Sequence, residues 1–292
     1  MQRLAFSAVV LALSALLPAA AWAQAAPGRT YNTVIEKLAR GEPVIGGTID
    51  TPDPDTYCAV ANAGFDFTWI EMQHSSLTYS EVEDMIWACR GAPAIPFIRV
   101  PDATEGDIQK ATDIGALGII VPMVDDIQKI RNAVTFAHYP PLGKRSQGGG
   151  RYGALWGNDY RATANDNVMI VAMIESPAGV AIAREIANEP GVDAVFAASA
   201  DLSSFSARRQ GDPDYEALVN VIKDETLAAG RVLGGPLAWL GSRPQDGYLF
   251  FQGPGAGALI RTGARATLED ADPCRFLPPG TAPVPGEDPC EE

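Results

Sequence analysis

Two histidines occur in this chain. One of them, His74, follows the apolar run DFTWIEM after a single residue, Gln73. A histidine just past a strand end, where barrel enzymes keep their reactive groups, is placed to act as a general base at neutral pH. The other, His138, precedes Tyr139-Pro140-Pro141 and reads as a helix-end cap or a surface residue. Arg99 closes the run IPFI. A guanidinium beside such a rim needs an anionic partner, either a substrate carboxylate or enolate oxygen, or a barrel acid such as Glu71. Glu175 closes VMIVAMI, and Asp201 follows VDAVFAA through Ser199 and Ala200. Taken singly, Glu175 is explained as a charge at a helix start and Asp201 as a helix cap. Taken together, two carboxylates at one solvent-facing rim repel each other unless something positive lies between them. A hard divalent cation is the simplest answer: Mg²⁺ or Mn²⁺ first, with Co²⁺ or Zn²⁺ as the other candidates.

These residues need a scaffold that brings strand ends together. Short apolar runs alternate with segments of helical period from residue 44 to 268. The strands expected are 44–49, 66–72, 94–100, 117–123, 168–174, 192–198, 231–237 and 247–253. Helices are expected over Ser80–Arg90 with a serine cap, Asp126–Ala137, Ser176–Ala187 and Tyr215–Ala229. Gly64, Gly115, Gly191 and Gly230 stand where helices end and fit left-handed caps. The pattern predicts a single-domain α/β fold, a closed parallel (β/α)8 TIM barrel. An open doubly wound sheet is the runner-up, and the lack of GxGxxG after the first strand argues against it. One stretch departs from even spacing: Tyr139–Asn167, with GKRSQGGGRYG at its centre, is long enough to be read as functional.

The chain has 292 residues, 47% hydrophobic and 20% charged, an ordinary globular composition. Its formal net charge of −14 excludes a nucleic-acid partner and docking on an anionic membrane. Residues 1–23, with Arg3, an apolar run from Leu4 to Leu17 and Ala21-Trp22-Ala23, read as a cleavable signal peptide. That predicts a secreted or periplasmic protein with no membrane anchor after processing. Residues 24–43 form a lead-in, 44–268 the barrel, and 269–292 a Pro-rich acidic tail. In an oxidising compartment the four cysteines favour disulfides. Four cysteines allow three connectivities, between which sequence alone does not choose; the one expected has Cys274 and Cys290 closing the tail they bracket and Cys58 paired with Cys89, joining the first two barrel helices. No CxxC occurs, and no nicotinamide, flavin or pyridoxal site is visible.

The stretches AGFDFTWIEMQH, IPFIRV, ATDIGALGIIVPMV, YPPLGKRSQGGGRYG, VAMIESPAG and GVDAVFAASADLS resemble the HpcH/HpaI aldolase (aldolase/citrate lyase) family. Weaker similarity continues through GRVLGGPLAW and GYLFFQGPGAGALIRTGA, so that the resemblance covers about residues 33–268. It implies a metal-dependent class II pyruvate aldolase on a (β/α)8 barrel. On that resemblance His74 is the base and Arg99 stabilises developing negative charge. Glu175 and Asp201 ligate the metal, and the backbone amides of Ala200 and Asp201 hold the pyruvyl carboxylate. Asp113 matches an acid that family members pair with the histidine, although the strand count puts it near the wrong end of the barrel. The family tends to form hexamers with exchanged C-terminal helices, which implies a homo-oligomer. Three departures bear on the substrate. Glu71-Met72-Gln73-His74 replaces the usual Asp-x-Glu-His, Ser75-Ser76 replaces Gly-Pro or Ala-Pro, and Met173 stands where a glutamine often touches the pyruvyl group. The reading is an exported carbon–carbon lyase. It cleaves a 4-hydroxy-2-oxo acid to pyruvate, or a related 2-oxo acid, and an aldehyde. The rival is a catalytically weak barrel that binds a small acidic ligand.

Overall fold

The computed structural model describes residues 28–271 except Pro244. The signal segment, Cys274, Cys290 and the acidic tail beyond Ala271 lie outside the described residues. Eight parallel strands close into a barrel in chain order, each hydrogen-bonded to the next and β8 back to β1. They are β1 Val44–Ile49, β2 Phe67–Glu71, β3 Ile95–Arg99, β4 Gly118–Val121, β5 Met169–Ile174, β6 Ala194–Ala197, β7 Val232–Pro236 and β8 Tyr248–Gly255. Every expected strand is present, each end matching or shifted by one or two residues. Strands β2 to β6 are buried at every position. Covered on both faces, they read as apolar runs interrupted only by Thr68, Glu71 and Arg99.

In chain order the helices are α1 Thr33–Ala39, α2 Pro54–Ala61, α3 Tyr79–Ala88, α4 Glu105–Asp113, α5 Ile127–Ala137, α6 Tyr152–Trp156 and α7 Tyr160–Thr163. There follow α8 Pro177–Ala181, α9 Ala183–Asn188, α10 Ser199–Ser206, α11 Pro213–Ala228, α12 Ala238–Ser242 and α13 Ala256–Ala271. The expected serine cap of α3 moves to Thr78. A capping box with Glu81, which accepts the Thr78 amide at 2.7 Å, starts the helix earlier. The single helix expected over Ser176–Ala187 is two, because Ile182 (φ −112°, ψ 16°) leaves helical geometry between α8 and α9. The four helix-end glycines all have positive φ, from 67° to 115°. Cys58 of α2 and Cys89 at the end of α3 form the expected disulfide, with Cα atoms 5.4 Å apart.

Side chains alternate between the barrel interior and the helix layer. The interior is plugged by aromatic rings. Phe67 stacks on Phe250 at 4.5 Å, Phe97 lies 4.9 Å from Phe67, and Trp69 lies 5.3 Å from Phe196. Gly46 and Gly118 make room for this plug, since a Cβ at either would overlap the ring of Phe67 or Phe97. One layer above the rings, the same alternation turns Glu71 and Arg99 inward.

Candidate active site

The β2–β3 register sets Glu71 beside Arg99, and both are 6% exposed. Arg99 Nη1 donates to Glu71 Oε2 at 3.1 Å. The other Glu71 oxygen accepts the backbone N–H groups of Gln73 (2.9 Å) and His74 (3.1 Å), and Trp69 Nε1 donates to Oε2 at 3.2 Å. Glu71 therefore shapes the turn that carries His74. In the sequence Glu71 stands out only as a salt-bridge alternative for Arg99. The legible signal was an acid at an inward strand-end position, three residues ahead of a histidine.

Arg99 holds the centre. Its Nη2 lies 3.3 Å from His74 Nε2 and 3.6 Å from Glu175 Oε1. A guanidinium can only donate, so His74 Nε2 is the acceptor in this contact, and the unprotonated lone pair of the ring faces Arg99. His74 itself is exposed at the mouth.

Glu175 follows β5 and is fully buried, not at a solvent-facing rim as expected. One oxygen accepts the N–H of Met123 at 3.1 Å. Met123 sits in the left-handed region at φ 51°, uncommon for a residue with a side chain, and that geometry turns its N–H toward the carboxylate. The other oxygen, Oε2, is buried and has no hydrogen-bond partner among the described residues. Burial pushes the Glu175 carboxyl up to about 7; Arg99 and the Met123 amide oppose this, and Asp201 adds to it. Asp201 lies in the first turn of α10, half-buried. That helix begins at Ala198 with no side-chain cap, so its first amides are left for a ligand.

A cavity of about 110 Å³ opens here, lined by Arg99, Asp201, Met173, Phe196, Pro236 and Gln252 among others, including Ser199 and Ala200. The structure thus brings together His74, Arg99, Glu175, Asp201, Ala200 and Met173. It does not bring Asp113 to His74. Asp113 ends α4, at the opposite end of the barrel, where Arg145 Nη2 donates to it at 2.8 Å. Arg145 is in turn enclosed by the rings of Tyr139, Tyr152 and Tyr160, with Nη1 on the Tyr160 hydroxyl at 2.8 Å. The Gly-rich stretch that contains Arg145 links α5 to β5, and so packs at the end of the barrel away from His74. His138 caps α5, with Nδ1 2.9 Å from the Val134 carbonyl oxygen, but it is buried rather than at the surface. Burial depresses its pKa, and the bonds to backbone oppose that.

Glu175 and Asp201 offer hard oxygen donors, one of them orphaned and buried, which fits a cation held by one or two carboxylates. No group of three or more His, Cys, Asp or Glu suited to a metal occurs among the described residues. A cation here would complete its shell with substrate and water.

The sequence profile of the HpcH/HpaI aldolase/citrate lyase family matches residues 51–241. The chain belongs to this family. It is 30% identical over 222 residues to a 2-dehydro-3,6-dideoxy-6-sulfogluconate aldolase of Pseudomonas putida, covering 73% of this chain and 86% of the relative. It is also 30% identical over 238 residues to a hydroxypyruvate/pyruvate aldolase of Rhizorhabdus wittichii, covering 79% and 95%. Among solved structures, an HpcH/HpaI aldolase/citrate lyase family protein from Burkholderia cenocepacia superposes with a TM-score of 0.75 at 26% identity, over 82% of this chain and 99% of that one. Family membership and the names of these relatives support an aldolase or lyase activity, and the barrel agrees with the fold that the resemblance implied.

Proposed function

We propose that the protein is an exported, divalent-cation-dependent lyase that cleaves a 4-hydroxy-2-oxo acid into a 2-oxo acid and an aldehyde. The observation that carries this reading is Arg99, held between Glu71, His74 and Glu175 at the edge of a cavity that Asp201 also lines. The uncapped first turn of α10 receives the substrate carboxylate. His74 Nε2 accepts the proton of the C4 hydroxyl, the O–H electron pair becomes the aldehyde C=O, and the C3–C4 bond breaks. Its electrons move onto the C2 oxygen as an enolate, which Arg99 is placed to stabilise; reprotonation at C3 gives the 2-oxo acid. Glu175 and Asp201 would hold Mg²⁺ or Mn²⁺, and such a cation, when bound, supplies Lewis-acid stabilisation of the same negative charge.

Assembly belongs to the same proposal. α13 leaves the barrel largely exposed, with Ile260 64% accessible, which suits a homo-oligomer in which this helix packs on another subunit.

A retro-aldol assay with added Mn²⁺, coupled to lactate dehydrogenase, tests the chemistry. Pyruvate release is the expected result. Ligand binding without cleavage would favour the rival reading of a binding barrel. N-terminal sequencing of the processed protein, expected to start at Gln24, tests export.

A further inference from the structure

The cavity has apolar walls in Met173, Phe196 and Pro236, and charged groups in Arg99 and Asp201. Gln252 of β8 is its one side-chain amide. It lies two residues beyond Phe250, whose ring belongs to the interior plug, so strand alternation turns Gln252 inward in the layer above the rings. Its backbone is pinned on both sides. The Leu237 amide donates to the Gln252 carbonyl at 2.9 Å, and Thr48 Oγ1 donates to the Gly253 carbonyl at 3.0 Å. Yet among the described residues no hydrogen bond engages the Gln252 side chain, which is half-buried. An anchored strand thus presents a free amide to a small cavity.

An amide both donates and accepts, and so suits a hydroxyl, which does the same. A carboxylate is better met by charged or backbone donors, which Arg99 and the first turn of α10 already supply. Against Met173, Phe196 and Pro236 a substrate hydroxyl would lose its hydration without compensation. We propose that Gln252 is a specificity-determining residue that reads a hydroxyl carried by the 2-oxo acid. The site thereby prefers a 3-hydroxylated 2-oxo acid over its unsubstituted counterpart. This rests on the lyase reading for the class of ligand, but not on turnover.

The test is a binding ratio. Calorimetric titration of the full, processed chain in Mn²⁺ with 3-hydroxypyruvate and with pyruvate should give wild-type protein a preference for the hydroxylated acid of about tenfold, the scale of one neutral hydrogen bond. Gln252→Met is close in length and shape and removes the amide, so it should bring the ratio near one. Gln252→Asn keeps the amide but draws it back, and should give an intermediate ratio. Thermal melting checks that each variant is folded. A wild-type ratio near one, a ratio unchanged in Gln252→Met, or failure of both acids to bind overturns the proposal. Discriminating binding without any cleavage would instead leave Gln252 assigned and remove the lyase reading.

Discussion

Arg99 links three of the groups in the proposed site: it donates to Glu71, meets the lone pair of His74 and lies against Glu175. Changing it to Lys keeps the charge but loses the planar fork, and turnover should fall even where the fold survives. His74→Ala should lower turnover by about 10²–10⁴, the range for a lost general base, while Mn²⁺ affinity stays as in wild type. Deuterium exchange at the pyruvate methyl, followed by NMR, adds a second reading. If His74 forms the enolate directly, exchange disappears with it; wild-type turnover in the variant would return His74 to a structural role. The pair Glu175→Gln and Asp201→Asn should abolish Mn²⁺ binding by calorimetry. Both changes are near-isosteric, so neither opens a cavity although Glu175 is fully buried. That His74, Arg99, Glu175 and Asp201 meet at one end of the barrel was legible in the sequence, because each ends an apolar run or follows one within three residues. Glu71 and Gln252 were less so. The part Glu71 plays depends on backbone hydrogen bonds to the following turn, and that of Gln252 on which face of β8 lines the cavity. Both are tertiary facts.

At the scale of elements, the strand pattern was readable because strands covered on both faces are apolar at nearly every position. Helix ends were readable only to within a few residues, since caps such as Thr78 compete with neighbours of similar chemistry. One device recurs four strands apart. Asp66, just before β2, accepts the Ile45 amide of β1 at 2.8 Å, and Asp193, just before β6, accepts the Ile170 amide of β5 at 2.7 Å. Lys37 ion-pairs with Asp66, whereas Asp193 has no ion pair among the described residues. Burial pushes the Asp193 carboxyl up to about 6, against its backbone hydrogen bond and the charge of Arg231. A carboxyl raised on folding binds protons in the folded state that the unfolded state has released, so its contribution to stability falls as pH rises from about 4 to about 6. Asp193→Asn keeps an acceptor for Ile170 and removes the titration. Its stability relative to wild type should therefore be more favourable at pH 7 than at pH 4, read from urea midpoints at the two values. The same helix layer carries the Cys58–Cys89 crosslink, at a sequence separation of 31. Replacing both cysteines with serine should cost roughly 3–4 kcal/mol in the chain-entropy account, a drop in Tm of several degrees by calorimetry.

Considered as a whole molecule, the barrel is a vessel with a floor. The rings of Phe67, Trp69, Phe97, Phe196 and Phe250 fill its lower interior, and Phe196 also lines the cavity. Whatever reacts above that floor enters and leaves through one mouth, and this has a kinetic consequence. A cleavage that makes two fragments in a dead-end chamber must empty it in sequence. The fragment nearer the opening departs first, and the one seated against α10 and Arg99 departs last. Release should be ordered, aldehyde before oxo acid. Initial-rate studies should then show the oxo acid as a competitive inhibitor against the intact substrate and the aldehyde as a noncompetitive one. The glycines at 46 and 118, which make room for that floor, would in this way decide which product the enzyme is still holding when the next substrate arrives.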